Sequence, residues 1–124
     1  MDWIFVYIAE AHAMDEWPVT SGRFNRGRGP VLVEEQPRTT LDRCRLAQKF
    51  LTVFDMDLDS SGASNVQFLV DDRDRDDPFE KAYAPWPVRL YLIRDGVLEW
   101  LSFPRNASHE EDVTKLMEML ALEP

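Results

Sequence analysis

An α/β fold, a sheet of mixed strand direction with helices on both faces, is what this sequence predicts. Three observations carry that expectation. A six-residue apolar run, Trp3-Ile4-Phe5-Val6-Tyr7-Ile8, opens the chain. Helix-like and strand-like segments then alternate, and an Asp95-Gly96 turn joins two further strand-like runs before a last amphipathic helix.

The opening run is rich in β-branched and aromatic residues, which fits a strand buried on both faces inside a largely parallel sheet. Such strands present ligand-binding groups at their carboxyl ends. An interior strand needs a neighbour on each side, so the chain is expected to start in the middle of a fold. From Met14 to Pro30 the glycines Gly22, Gly27 and Gly29 and scattered arginines read as an exposed loop. Thr39 and Thr40 offer helix caps, and the helix to Phe54 is expected to pack through Cys44, Ala47, Leu51 and Phe54, with Asp42, Arg45, Lys49 and Thr52 outward.

An acidic turn over 55–65 leads into the strand Val66-Gln67-Phe68-Leu69-Val70, expected to lie parallel to the first after a right-handed crossover. Asp71 to Asp77 reads as an exposed charge run. Asp77-Pro78-Phe79-Glu80 supplies a cap, a proline at the first helical position and a glutamate three residues past the cap, so a short helix should run to about Ala84. Pro85 and Pro87 impose extended backbone before Val88–Ile93, which Asp95-Gly96 joins to Val97–Leu101 as a hairpin. Ser108 and Glu111 form a capping box for a closing helix with the stripe Val113, Leu116, Met117 and Leu120.

With 124 residues, 44% of them hydrophobic, the chain is the size of one domain. A net charge of −9 argues against nucleic acid or an anionic membrane as the main partner. No stretch reaches the about 18 apolar residues of a membrane span, so no membrane segment is expected, and the compartment stays unassigned. The single cysteine, Cys44, sits on the expected packing stripe and reads as a core residue rather than a nucleophile. Asp55, Asp57 and Asp59 alternate like a calcium loop, but the glycine is displaced to Gly62 and Val66 stands where a glutamate is needed. Asn106-Ala107-Ser108 is a glycosylation sequon, relevant only on secretion, and Arg23, Arg26 and Arg28 lack the pattern of a phosphate loop.

Chemistry is expected at the far end of the first strand, where Glu10, His12, Asp15 and Trp17 cluster. An imidazole titrates near neutrality, so His12 is a candidate general acid and Glu10, two residues away, a candidate for orienting it; the alternatives are a solvated histidine and a surface carboxylate. Trp17 either stacks on an aromatic ligand or closes a core edge.

These residues resemble a known family. The run Tyr7-Ile8-Ala9-Glu10-Ala11-His12-Ala13-Met14-Asp15-Glu16-Trp17 is similar to the iodothyronine deiodinase pattern Tyr-Ile-Glu-Glu-Ala-His, two variable residues, Asp-Gly-Trp. Similarity continues through Leu41-Asp42-Arg43, Phe68-Leu69-Val70-Asp71, Ala82-Tyr83, Pro87–Ile93 and Gly96. The pattern is departed from at Ala9, at Glu16, at Pro37, near a histidine of the family, and at Ser102-Phe103-Pro104. The resemblance implies a thioredoxin-like, peroxiredoxin-like fold lacking the first strand–helix unit, which in that family carries a selenocysteine or cysteine. It implies a redox function: a selenoprotein-type oxidoreductase performing reductive dehalogenation of an iodinated, thyroid-hormone-like aromatic, with no bound cofactor and a thiol as reducing cosubstrate. Catalytic roles would fall to His12 and Glu10, substrate contacts to Trp17 and Arg89, and the place of a cis proline beside the nucleophile to Pro87. Arg89 alternatively pairs with Asp71 or Glu99, and Pro87 alternatively just starts a strand. As a truncated form the chain is expected to be inactive. A different class, a non-catalytic thioredoxin-like module that binds or dimerises through an exposed sheet edge, is the rival expectation.

Overall fold

A computed structural model of the chain describes residues 1–18, 33–56, 65–103 and 109–121. The glycine and arginine loop beyond Pro18, the alternating aspartates past Asp55, the sequon and Ser108 of the capping box lie outside these residues. The fold is mixed α/β, with three helices and two small sheets among the described residues. The chain divides into two compact units, Met1–Ala84 and Pro85–Pro124.

In the first unit β1 (Trp3–Tyr7) pairs with β2 (Val66–Val70), parallel and in register from Trp3 opposite Val66 to Tyr7 opposite Val70. The chain between them contributes α1 (Thr40–Val53), which contacts β2. Side chains alternate along a strand, so Phe5, Tyr7 and Phe68 share one face; the Phe50 ring of α1 lies 6.5 Å from Tyr7 and 6.3 Å from Phe68. The opposite face carries Ile4 and Leu69, 59% and 48% exposed. The expected burial of β1 on both faces is therefore corrected. Among the described residues β1 has a single strand neighbour, and Trp3, Ile4 and Phe5 are all exposed.

Helix α1 starts where expected: Thr39 caps it, its hydroxyl accepting from the Asp42 N–H at 3.1 Å. Its inward face differs from expectation. Arg43 and Ala47 are the buried residues, while Cys44 and Phe54 are exposed. Reading only apolar residues placed the centre of the stripe beside Arg43, and at about 100° per residue one position is enough to carry Cys44 to the margin.

Arg43 is buried because a set of acceptors awaits it. Its Nη1 donates to the Asp77 carboxylate at 2.7 Å and to the Asp71 main-chain oxygen at 2.9 Å. Arg73 pairs with the other Asp77 oxygen at 2.7 Å. Asp71 is 3% exposed, and its carboxylate accepts from the Phe79 and Glu80 N–H groups that open α2 (Pro78–Tyr83). Two expectations are corrected here. Asp71 and Asp77 are buried or half-buried ends of the charge run, whose residues 73–76 are exposed as expected, and the cap of α2 comes from Asp71, since Asp77 makes no side-chain capping bond. Asp77 has a left-handed backbone and turns its carboxylate to the two arginines instead. The Thr40 hydroxyl donates to Asp72 at 2.6 Å and is the first reason that carboxyl titrates below its ordinary value. The Lys81 ammonium does the same for Asp76.

In the second unit β3 (Tyr91–Arg94) and β4 (Val97–Leu101) form the expected antiparallel hairpin, with β3 starting three residues later than expected. Asp95 and Gly96 both have positive φ, 50° and 76°, as a two-residue hairpin turn of matching twist requires. Ile93 faces Leu98 while Leu92 faces Trp100, so Glu99 is the extra residue of a bulge. Ser102 extends the pairing, its N–H donating to the Leu90 oxygen and its hydroxyl accepting from the Leu90 N–H, both at 2.9 Å. In α3 (Glu110–Ala121) the buried residues are Asp112 and Leu116, whereas Val113 and Met117 of the expected stripe are exposed. No helix among the described residues is long and apolar enough to cross a membrane.

Candidate functional site

The carboxyl end of β1 is where the first unit gathers its polar side chains. Past Tyr7 the chain leaves the sheet, and residues 13–17 close into a tight turn in which the Glu16 and Trp17 N–H groups both reach the Ala13 oxygen, at 3.1 and 3.0 Å. Ala13 is the pivot and is buried. The turn is lashed to residues 33–36: the Met14 N–H donates to Val33 and the Asp15 N–H to Glu34, at 3.0 and 3.1 Å. Asp15 returns the contact, its carboxylate accepting the Gln36 N–H at 2.9 Å and lying 3.6 Å from the Arg38 guanidinium.

Gln36 reaches furthest into the site. Its Oε1 accepts the Glu10 N–H at 2.9 Å, and its Nε2 donates to the Glu10 carbonyl at 2.8 Å and to the Glu16 carboxylate at 3.1 Å. One carboxamide thus satisfies both main-chain groups of Glu10, as a neighbouring strand would.

The Glu10 carboxylate accepts a hydrogen bond from the Tyr7 hydroxyl. Burial pushes the Glu10 carboxyl above its ordinary value of 4.5, an effect that the Arg43 and His12 charges partly oppose. The proton is therefore held more tightly there than on a solvated glutamate.

His12 is arranged differently. It is exposed, its Nδ1 lies 3.2 Å from the Trp17 carbonyl oxygen, and its ring centroid is 5.2 Å from that of Trp17. A carbonyl oxygen only accepts, so this bond exists when Nδ1 carries the hydrogen, and Nε2 is left to take or give a proton. The partner that holds the ring is Trp17, while Glu10 is held by Tyr7. The Trp17 side chain is 56% exposed and offers a flat apolar face beside the imidazole.

Glu10, His12 and Trp17 are thus brought together on one turn. Pro87 and Arg89 belong to the second unit. The Trp86–Pro87 peptide bond is cis. The Arg89 Nε is buried and has no hydrogen-bond partner among the described residues, and Glu99 lies against Arg94 at 3.6 Å. Cys44 is an exposed free thiol on α1. An open cleft of about 680 Å³ runs between residues 33–38 and the α1 side chains Asp42, Arg45, Leu46 and Lys49; Gln36 lines it, Glu10 and His12 do not. The described residues contain no group of three or more acidic, histidine or cysteine side chains able to hold a metal ion.

Tyr7 and Gln36 were not singled out from the sequence. Tyr7 read as one more apolar strand residue, although its place three residues before Glu10 was a usable signal. Gln36 carries no local mark, because its partners lie 20 to 26 residues away. No family model, no curated protein and no solved structure matches this chain.

Proposed function

We propose that this chain supplies the proton-handling part of a deiodinase-like selenol or thiol oxidoreductase with a thioredoxin-like fold, acting on an iodinated aromatic. The observation that carries the reading is the Tyr7–Glu10 pair. A half-buried carboxyl whose proton is held above the ordinary range sits at the carboxyl end of a strand, next to an exposed imidazole and an indole face. The parallel β1–β2 pair with α1 between them in sequence, and the hairpin followed by α3, support the fold assignment.

In the proposed reaction a selenolate or thiolate attacks iodine along the carbon–iodine bond. The halogen passes to sulfur or selenium, and the bonding pair left on the ring carbon takes a proton. Two cosubstrate thiols then release iodide, form a disulfide and restore the nucleophile, giving up two protons. Glu10 and the Nε2 of His12 are the two groups on this turn that can deliver the ring proton. Trp17 offers a stacking surface to the aromatic ring. In this reading the nucleophile comes from a strand–helix unit outside these 124 residues, since the single cysteine, Cys44, is an exposed thiol on α1 and not at the carboxyl end of a strand. The 124 residues alone are expected to release no iodide.

The test is iodide release from an iodinated phenol with dithiothreitol, using the chain extended through its genomic upstream reading frame. Release that falls in both Glu10→Gln and His12→Ala supports the reading. An upstream frame that encodes no in-frame UGA or cysteine in a strand–helix unit, or an extended protein that releases no iodide, overturns it.

A second reading, a non-catalytic thioredoxin-like module that self-associates through β1, is favoured by one observation: β1 has no strand on its other side among the described residues, and Ile4 and Phe5 are exposed. It predicts a concentration-dependent dimer in sedimentation that Ile4→Lys dissociates.

A further inference from the structure

We propose that Gln36 is the positioning residue of this site, its carboxamide gripping the Glu10 main chain at both N–H and carbonyl and so holding the Glu10 carboxyl under the Tyr7 hydroxyl. The functional weight of this inference rests on the reading of Glu10 given above; its structural content does not.

The geometry is that of a missing strand supplied by a side chain. Glu10 lies three residues beyond the last paired residue of β1, where the ladder no longer holds the main chain. A carboxamide carries an acceptor oxygen and an NH2 with two N–H donors on a planar head; the oxygen and Nε2 both bond Glu10, at 2.9 and 2.8 Å. The amide is itself steadied. Its own N–H is bonded to Asp15, and its Nε2 is shared with Glu16. Pro37, which follows, is buried. A flexible turn is converted into one that presents a carboxyl at a fixed depth.

The depth matters chemically. The groups that face the Glu10 carboxyl are the Tyr7 hydroxyl from β1, the Arg43 guanidinium from α1 and the His12 imidazole from its own turn; Glu16 adds a negative charge at the other end of the amide. Both cations favour the ionised form, and burial outweighs them. Release of the clamp lets residues 9–12 move outward and removes the burial that raises the value, so the carboxyl returns toward 4.5.

The experiment uses the 124-residue chain itself. Carbon-detected NMR follows the Glu10 carboxyl through a pH titration in the native protein, Gln36→Ala and Gln36→Met, the last keeping length and packing without polar atoms. The inference expects a Glu10 midpoint above 4.5 in the native chain and a downward shift in both variants, with the Arg43 and Asp77 signals unchanged. A midpoint that stays put in a folded variant overturns it. Should both variants unfold, amide exchange in the native chain decides: the Glu10 N–H is expected to exchange roughly tenfold or more below its intrinsic rate, as one ordinary hydrogen bond confers, and unprotected exchange overturns the clamp. Failure of any extended protein to dehalogenate refutes the proposed reaction and leaves the clamp standing; an unshifted Glu10 refutes the clamp whatever the activity.

Discussion

The Arg43 guanidinium donates to the Asp77 carboxylate at 2.7 Å from a position 1% exposed, tying the first turn of α1 to the residue that precedes α2. Arg43 also faces Glu10, so the ion pair that fastens two helices sets part of the field in the candidate site. Loss of Asp77 strands the Arg43 charge in a poorly solvated place, whereas loss of Arg43 leaves Asp77 paired with Arg73.

Arg43→Ala is expected to cost about 2–3 kcal/mol of unfolding free energy in urea, from the loss of its hydrogen bonds to Asp77 and the Asp71 carbonyl. Arg43→Lys should recover only part, because the shorter lysine side chain has to bring its ammonium to where Nη1 now meets both the Asp71 oxygen and the Asp77 carboxylate. Equal stability of the native and Ala forms would show the pair to be idle.

Asp71→Ala removes the acceptor for two opening N–H groups of α2 and is expected to cost about 2 kcal/mol, at the upper end for a lost cap. Asp71→Asn keeps one carbonyl oxygen and should lose about half as much. The Asp77→Ala change is expected to act through Arg43 and Arg73 and not through the start of α2; a double-mutant cycle with Arg43→Ala separates the two.

For Glu10 the sign follows from its raised folded-state value. The folded chain binds this proton more tightly than the unfolded one, so the stabilisation is fully present below 4.5 and is lost as pH rises through the folded value. Glu10→Gln, which stays neutral throughout, should therefore gain on the native protein as pH climbs from 4 toward 7. Urea midpoints measured along that series check it, and a pH-independent difference contradicts it.

Gly96 has φ of 76°, and a Cβ placed there meets nothing within 4 Å. Gly96→Ala should then cost only the backbone penalty, about 1 kcal/mol, with Gly96→Asn costing less because asparagine tolerates the left-handed region. Thermal unfolding followed by Trp100 fluorescence reads both.

How far the sequence could be read depended on the range of each signal. Thr39, Pro78 and Asp95-Gly96 act on neighbours within a few residues, and the elements they start or join lie where the sequence placed them, apart from the later start of β3. The helix faces followed only in part, Ala47 and Leu116 being buried as expected and Cys44, Phe54, Val113 and Met117 exposed, and for one reason twice over. Arg43 with Ala47, and Asp112 with Leu116, are the buried lines, and a polar residue at the centre of an apolar stripe is invisible to a count of apolar residues. Asp71 as the cap of α2 and Gln36 as the brace of Glu10 were illegible because each depends on a fold that brings distant residues together. Glu10, His12 and Trp17 were legible as a cluster, whereas the pairing of Glu10 with Tyr7 and His12 with Trp17 required coordinates.

The in-step alignment of β1 with β2, five pairs long, sets more than the sheet. A slip of one residue would exchange Phe5 and Tyr7 for Ile4 and Val6 beneath α1 and carry everything downstream by about 3.3 Å, a whole hydrogen-bond length. Glu10 would then miss both Gln36 and Arg43. The strand works as a ruler for the turn it feeds, and a single inserted residue within Trp3–Tyr7 should break the Glu10–Gln36 bonds while deleting none of the side chains that make them.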